Sequence, residues 1–503
     1  MTTDILTAVL GGFAVSLTVE RIFYCLLGTV LGTVVGVLPG LGPAATIALL
    51  LPVTYRVDTV SAVIMLAGIY YGSQYGGSTT SILVRIPGES SSMVTCFDGY
   101  EMTRQGRAGP ALGMAAVASF AAGTASVIAL MVVAPPLGRF ALAFGPAEYF
   151  SLMVLGLTLV AYLGGDSLLK ALLMAVLGLL LATVGQDPVA GVERYTFDTL
   201  VLKDGVGLVP VFMGLFGIAE VLVTMERPPD QQRLSAPKSL LPTRQEWADS
   251  RGPIARGTVI GFFLGILPGG GATIASIASY VAEKRFARNR QRLGQGAIEG
   301  VAGPEAANNA AATGSFIPLL TLGIPANVVM GMMLAALTIH GVRPGPLLLQ
   351  DRPDLFWGVI TSMYLGNLML LILNLPLVGL FIQILRIPYP VLAPLILLFC
   401  LVGAYSTAGQ VADVFVMVCF GLLGYLMRKF KFEVAPLVLA LILGKPMEES
   451  LRQALGISQG SFGIFLASPI ALALLLATAT SLAGPAIGWA LRRRREGASG
   501  RVD

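Results

Sequence analysis

Long apolar runs separated by short polar joints dominate the chain. They fall at 5–20, 22–37, 42–54, 59–84, 110–134, 149–163, 168–185 and 206–225. After a polar, proline-containing stretch they resume at 257–282, 296–320, 325–341, 355–385, 390–407, 411–427, 433–443 and 462–491. A helix needs ~20 apolar residues to cross a bilayer, so several runs are too short to span alone. Two runs carry matching interruptions, Gly36-Val37-Leu38-Pro39-Gly40-Leu41-Gly42 and Gly265-Ile266-Leu267-Pro268-Gly269-Gly270-Gly271. Glycine and proline break helices, and broken backbone at membrane depth survives only where it is buried in protein or lines a cavity. Corresponding breaks in two halves point to the binding site of a secondary transporter.

The halves repeat. Pro39 corresponds to Pro268 (268 − 39 = 229), Ile86-Pro87 to Ile324-Pro325 (325 − 87 = 238), Gly109-Pro110 to Gly345-Pro346 (346 − 110 = 236) and Tyr162 to Tyr405 (405 − 162 = 243). Four landmarks in one order with a slowly drifting offset indicate duplication. The expected organisation is a membrane helix at 1–20, a first repeat at 21–225, a cytoplasmic linker at 226–256, a second repeat at 257–461, a membrane helix at 462–491 and a basic tail at 492–503.

Composition agrees with the pattern. Of 503 residues, 55% are hydrophobic and only 12% charged, and the mean hydropathy is +0.79. Soluble domains average roughly a quarter charged residues, so the expected class is an all-α polytopic membrane protein. The chain has room for about 10 to 13 membrane segments of ~20 residues. A net charge of +5 does not suggest nucleic-acid binding. Cys25, Cys96, Cys400 and Cys419 show no CxxC spacing and suggest no disulfide framework. Met1 to Glu20 lacks a basic start and does not read as a cleaved signal peptide.

Charge placement adds topology. Arg227, Arg233, Lys238, Arg244, Arg251 and Arg256 lie before the second break, and Lys284, Arg285, Arg288, Arg290 and Arg292 follow it. Basic residues favour the cytoplasmic side. The apolar stretch between the clusters is too short for two crossings and a turn, so a re-entrant hairpin turning at Pro268-Gly269-Gly270-Gly271 is expected. Its first-half equivalent turns at Pro39-Gly40-Leu41-Gly42, with little flanking charge. This favours inverted repeats and a cytoplasmic linker and Arg492–Arg495 tail.

Two polar constellations supply candidate chemistry. Tyr75-Gly76-Gly77-Ser78-Thr79-Thr80-Ser81 interrupts the 59–84 run and reads as a loop of hydroxyls and exposed N–H groups able to hold a carboxylate. Gly303-Pro304-Glu305 reads as a helix start, with Pro304 in the first turn and Glu305 at the positive dipole end. Asn308, Asn309 and Thr313 follow it. Candidate substrate-binding residues are therefore Gly40, Gly42, Gly76, Gly77, Ser78, Thr79, Thr80, Gly269, Gly270, Asn308, Asn309 and Thr313. Freed backbone or side-chain oxygens at Pro39, Pro87, Pro268, Asn308, Pro325 and Asn327 are candidate sodium ligands. Asp166, Lys170, Glu220 and Asp413 are isolated charges expected near helix ends or in structural pairs. HExxH and GxxxxGK[ST] are absent, which argues against a metalloprotease and an ATP-driven motor, and no enzyme or cofactor reading emerges.

From about residue 10 to 490 the chain resembles the large membrane subunit of tripartite tricarboxylate transporters, the TctA family. The resemblance rests on Gly36–Gly42, Tyr75–Ser81, the Pro-Glu-Ala-Ala-Asn-Asn core of Gly303–Ser315, and Gly323-Ile324-Pro325. Ala326 departs from the glycine expected after that proline. The resemblance implies a bacterial inner-membrane importer of carboxylates. It also implies a small four-helix membrane subunit, a periplasmic solute-binding protein and an ion gradient, usually sodium, in place of ATP. Paired hairpins suggest a moving-domain, elevator-like cycle. The runner-up reading is a passive channel, which would equilibrate solute without accumulating it.

Overall fold

The computed structural model describes residues 2–38, 42–163, 167–187, 190–226, 240–384 and 389–483. Pro39 and Gly40 of the first break, Asp166, Arg227, Arg233, Lys238 and the arginine-rich tail lie outside the described residues. Among the described residues the chain is all-α apart from one antiparallel hairpin pairing Gly185–Gln186 with Glu193–Arg194.

Contacts group the chain into two units. One comprises Leu142–Val206 with Lys431–Asp503. In it, Arg194 bridges Asp187 and Glu448, and Arg452 pairs with Asp187 at 3.0 Å and Glu448 at 2.7 Å, tying the β-hairpin to the Val434–Ile457 helix. The other comprises Met1–Ala141 with Gly207–Phe430. Its central helices are α1 (Val19–Val37), α2 (Pro43–Thr54), α3 (Thr59–Val84), α4 (Thr95–Arg104), α5 (Ala108–Ala141), α6 (Arg244–Ile266), α7 (Gly271–Phe286), α8 (Glu299–Gly314), α9 (Val328–Ile339) and α10 (Pro353–Asn374).

Five described helices are long and apolar enough to cross a membrane: α1, α5, Leu208–Glu226, α10 and Val411–Lys429. Seven further apolar helices have only 10–17 residues. Among the described residues these make twelve apolar helices, within the 10 to 13 membrane segments expected, although seven of them are too short to span alone. In addition, α3 and α8 are core helices, buried along their whole length from Val60 and Glu299 onward, a property of helices enclosed by protein on every side.

Three expectations change. Tyr75–Ser81 is no loop, since α3 runs through it without interruption. Small residues there allow neighbouring helices to close in, and that packing overrides their weak helix propensity. Pro304 does not start a helix either. Helix α8 begins at Glu299, so Pro304 is internal and Glu305 sits in the interior, away from the dipole end. The linker shortens, because α6 starts at Arg244. Thr243 and Glu246 form a capping box there: the Thr243 N–H donates to Oε2 of Glu246 at 2.7 Å, and the Glu246 N–H donates to Oγ1 of Thr243 at 3.3 Å. Of the isolated charges, Glu220 pairs with Arg428, and the Lys170 ammonium stands 5.0 Å from the Phe432 ring centre.

Each described helix leading into a break lies against a buried helix, backbone on backbone. A Cβ on Gly28, Gly32 or Gly36 of α1 would meet the carbonyl oxygens of Met65, Ile69 and Ser73 of α3 at 2.2, 2.5 and 2.4 Å. A Cβ on Gly257, Gly261 or Gly265 of α6 would meet those of Gly303, Ala307 and Ala311 of α8 at 2.3, 2.2 and 2.3 Å. The seams are the same seam twice: 257 − 28 = 261 − 32 = 265 − 36 = 229, and 303 − 65 = 307 − 69 = 311 − 73 = 238. Both offsets match landmarks found in the sequence.

Gly261→Leu, which forces a side chain into the Ala307 carbonyl, is expected to cost about 3 kcal/mol or more of stability. Thermal unfolding of the purified chain, compared with Gly11→Ala, whose added methyl meets nothing within 4 Å, provides the check. A wild-type melting curve for Gly261→Leu would show that the seam does not hold the fold.

Candidate functional site

Each buried helix is followed by the same turn. Helix α3 ends on Arg85 in the left-handed region (φ 59°), and the helix after α8, Phe316–Leu322, ends on Gly323 (φ 70°). Ile-Pro follows in both cases. In the first half Gly88 sits against the α1 seam, where a Cβ would come within 2.0 Å of the Gly36 carbonyl and 2.6 Å of the Gly77 Cα. Only glycine fits there. In the second half, the equivalent Ala326 accepts at its carbonyl from the Gly269 N–H at 2.9 Å, with Gly269 itself at φ 78°. The two positions share the 238 offset (326 − 88 = 238). Each turn is thus bound to the break of its own half.

Contacts across the halves are exchanged. Asn327 donates from Nδ2 to the Tyr70 hydroxyl at 3.2 Å, and the Asn308 amide faces the Glu89 carboxylate. By the 238 offset Asn308 is the counterpart of Tyr70, and Asn327 of Glu89. Likewise Asn309 Nδ2 donates to Ser119 Oγ at 2.7 Å, and Tyr71 (71 + 238 = 309) faces Ser362 (119 + 243 = 362). Contacts in which i meets j and the counterpart of j meets the counterpart of i are the mark of a two-fold relation.

The chemistry at this crossing is unequal between the halves. Glu305 is fully buried on α8 and accepts from Ser78 Oγ at 2.6 Å and Thr95 Oγ1 at 2.5 Å. Its counterpart in the first half is Ala67 (305 − 238 = 67). No basic side chain pairs with Glu305 among the described residues. Glu89 is half-buried and accepts from Ser91 Oγ at 2.5 Å, while that hydroxyl also reaches Gln74 Oε1 at 2.8 Å. Asn308 is wholly buried, yet neither its Nδ2 nor its Oδ1 has a hydrogen-bond partner. Burying an amide without partners costs a few kcal/mol, and the group this amide faces is the Glu89 carboxylate. A cavity of ≈ 10 Å³ beside Glu305 is lined by Tyr75, Ser78, Thr79, Leu112, Ala115, Ala116 and Asn374.

The structure separates the residues proposed from sequence into groups. Asn308, Ser78, Thr79 and Gly77 converge on the crossing. Gly77 lies under Glu89, where an added Cβ would stand 3.0 Å from the Glu89 Cγ. Thr79, Thr80 and Thr313 bond back to Tyr75, Gly77 and Asn309 carbonyls at 3.3, 2.9 and 3.2 Å, which satisfies their protons within their own helices. Gly76 belongs to the α1–α3 seam, facing the Thr33 carbonyl, and Asn309 is engaged by Ser119. Gly269 and Gly270 form the second tip with Pro268. Gly42 opens α2 with open space beside it. Pro87 and Pro325 lie in the twin turns, and Asn327 caps α9 by accepting from the Met330 N–H at 3.0 Å.

Sequence reasoning did not single out Glu305, Glu89, Thr95, Gln74, Ser119 or Asn374 as site residues. A signal existed for the first, since Glu305 is three and four residues before Asn308 and Asn309 on one helical face. Thr95 is carried by α4, which a second buried carboxylate holds in place. Asp98 Oδ1 accepts from the N–H groups of Gly294, Gly296 and Ala297 at 2.8, 2.9 and 2.9 Å, and Oδ2 accepts from the Tyr280 hydroxyl at 2.9 Å. Asp98→Ala strands three amide donors and is expected to cost about 3 kcal/mol or more, read as a lowered melting temperature of the purified chain. Unchanged melting would show that this clamp does not hold α4.

Known proteins share this sequence over most of its length. The chain is 48% identical over 473 residues to an uncharacterized 52.8 kDa protein in the TAR-I ttuC' 3' region of Agrobacterium vitis, covering 94% of each chain. It is 51% identical over 215 residues to an uncharacterized protein in the TAR-II ttuC' 3' region of the same organism, covering 43% of this chain and 89% of that one. No solved structure matches. The model of the tripartite tricarboxylate transporter TctA family matches residues 22–439, and with it the chain, a polytopic membrane protein, belongs to the tripartite tricarboxylate transporter TctA family.

Proposed function

We propose that this chain is the large permease subunit of a binding-protein-dependent importer of carboxylates, driven by an ion gradient, sodium first. It works in a bacterial inner membrane with a small four-helix membrane subunit and a periplasmic solute-binding protein, its linker and C-terminus in the cytoplasm. The observation that carries this reading is the Asn308 amide, fully buried and without a partner at the crossing of two broken-helix halves. Its Nδ2 offers a carboxylate two donors, and its Oδ1 offers a cation a ligand. The tip glycines let backbone N–H groups approach the same place.

Charge then dictates coupling. When ionised, Glu89 and Glu305 bring negative charge to the crossing, and a carboxylate substrate adds more. Two like charges 4 Å apart repel by about 4 kcal/mol at an effective dielectric of ~20. The substrate therefore binds well only with cations beside it, which ties solute entry to ion entry. A passive channel has no need of such a penalty.

The exchanged contacts and doubled seams support a pair of inverted repeats meeting at the site. In an elevator-like cycle each break would move with the buried helix it is sealed against. Cysteine cross-linking across the membrane-facing edges of α1 and α6 tests this, and hairpins that stay fixed during uptake would rule it out.

Asn308→Ala is expected to lower carboxylate uptake at least tenfold while changing the melting temperature little, because the amide faces only the Glu89 carboxylate and makes no other contact of hydrogen-bond length. The measurement is uptake of labelled carboxylates into proteoliposomes containing the chain, its small subunit and its binding protein, under an imposed sodium gradient. Normal uptake by Asn308→Ala would remove that side chain from the site. Uptake that only equilibrates, indifferent to sodium, would overturn the importer reading.

A further inference from the structure

We infer that the cavity beside Glu305 is a binding site for one monovalent cation of sodium size, held by the Glu305 carboxylate, the Ser78 hydroxyl and the Asn374 amide oxygen. The inference rests on the importer reading and deepens it, by assigning the coupling ion to residues other than the broken-helix tips. The cavity is ≈ 10 Å³, about the room for a single water or a single small ion. Its polar lining comes from Tyr75, Ser78, Thr79, Glu305 and Asn374. Their side-chain groups offer oxygen donors, with the Asn374 amide nitrogen the single exception.

Asn374 is the independent pointer. It stands at the last turn of α10 and is 6% exposed. Its Nδ2 donates to the Leu370 carbonyl at 2.9 Å, which fixes the amide, while its Oδ1 has no partner and is shut off from solvent. A buried acceptor with both lone pairs unused, in a cavity with a carboxylate, calls for a cation or a donor.

Glu305 supplies the charge. The hydroxyls of Ser78, Thr95 and Ser119 face it, fewer than the roughly four lone-pair positions an ionised carboxylate presents. Ser78 can serve either state. Its Oγ lies 2.6 Å from Glu305 and 2.9 Å from the Gln74 carbonyl, and it has one proton. With the proton turned to Glu305, a lone pair of the hydroxyl remains for the cavity and the ion. Hard oxygen donors select alkali or alkaline-earth ions over transition metals. Calcium takes 6–8 oxygens and magnesium keeps several waters, and one carboxylate in so small a space suits neither. The ionisable groups facing Glu305 are Glu89, Tyr75 and Cys96, none of them cationic near neutral pH.

The test is equilibrium binding of ²²Na⁺ to the purified full chain, with thermal unfolding in sodium chloride and in choline chloride. Wild type is expected to bind sodium saturably and to melt higher in sodium. Glu305→Gln keeps the shape and removes the charge, and is expected to weaken binding at least tenfold. Asn374→Leu keeps the volume and removes Oδ1, and is expected to weaken it at least threefold. Its melting in choline reports whether the fold survives. Full sodium affinity in folded Glu305→Gln overturns the proposal, as does a wild type stabilised by acid and not by sodium, which would make Glu305 a proton carrier. Sodium-driven uptake persisting in Glu305→Gln proteoliposomes sinks the ion site and spares the importer. Glu305-dependent sodium binding by a chain that takes up no carboxylate with its partners does the reverse.

Discussion

Backbone-to-backbone contact along two glycine seams is the constraint on which the rest depends. A helix in lipid satisfies its own N–H and C=O groups, so lipid offers little drive for helices to associate beyond close van der Waals fit. Three glycines at four-residue spacing remove every side chain from one face of α1 and of α6. The facing carbonyls of α3 and α8 then fill that space. The result is an enclosure in which a helix can be buried on all sides. Ser78, Glu305 and Asn308 are tolerable in a membrane protein because this enclosure keeps them out of hydrocarbon, where an ionised carboxylate would be far more costly.

The same geometry carries a division of labour. Packing obeys the duplication closely, since seams, turns and exchanged contacts recur at offsets of 229 and 238. Side-chain chemistry does not. Asn308 and Glu305 in one half stand where Tyr70 and Ala67 stand in the other, and Glu89 stands opposite Asn327. In the proposed elevator-like cycle, the repeated frame would give two similar surfaces a way to move against each other. The lining is unequal, with Glu305 and Asn308 from one half and Glu89 from the other.

Much of this is legible along the chain. The breaks at Pro39 and Pro268, the Ile-Pro turns and the drifting offset mark the halves in the sequence alone. What escapes reading is where helices begin and continue. Pro304 looks like a first-turn proline, yet Glu299-Gly300-Val301 precede it as helix. Tyr75–Ser81 looks like a loop because glycine, serine and threonine are weak helix formers. In the fold their hydroxyls turn back on carbonyls one turn earlier, and the glycines admit α1 and the Glu89 turn. Asn374 is invisible in the sequence because its role comes from the space beside it, and no periodicity records a cavity.

The placement of hydroxyls has a last consequence. Thr79, Thr80, Ser81 and Thr313 spend their protons on their own helices, so they present lone pairs to the surroundings. An array of hydroxyls so arranged is a poor donor set for an anion and a good acceptor set for a cation. The donors left for a carboxylate are the Asn308 amide and the backbone N–H groups at the breaks. In the proposed importer, substrate and ion would be drawn to adjacent, chemically opposite surfaces of one crossing. The anion would need the ion's charge to offset Glu89 and Glu305 where these are ionised, and the ion would need the carboxylates to replace its water. Each would complete the other's site, which is the thermodynamic condition for coupled transport.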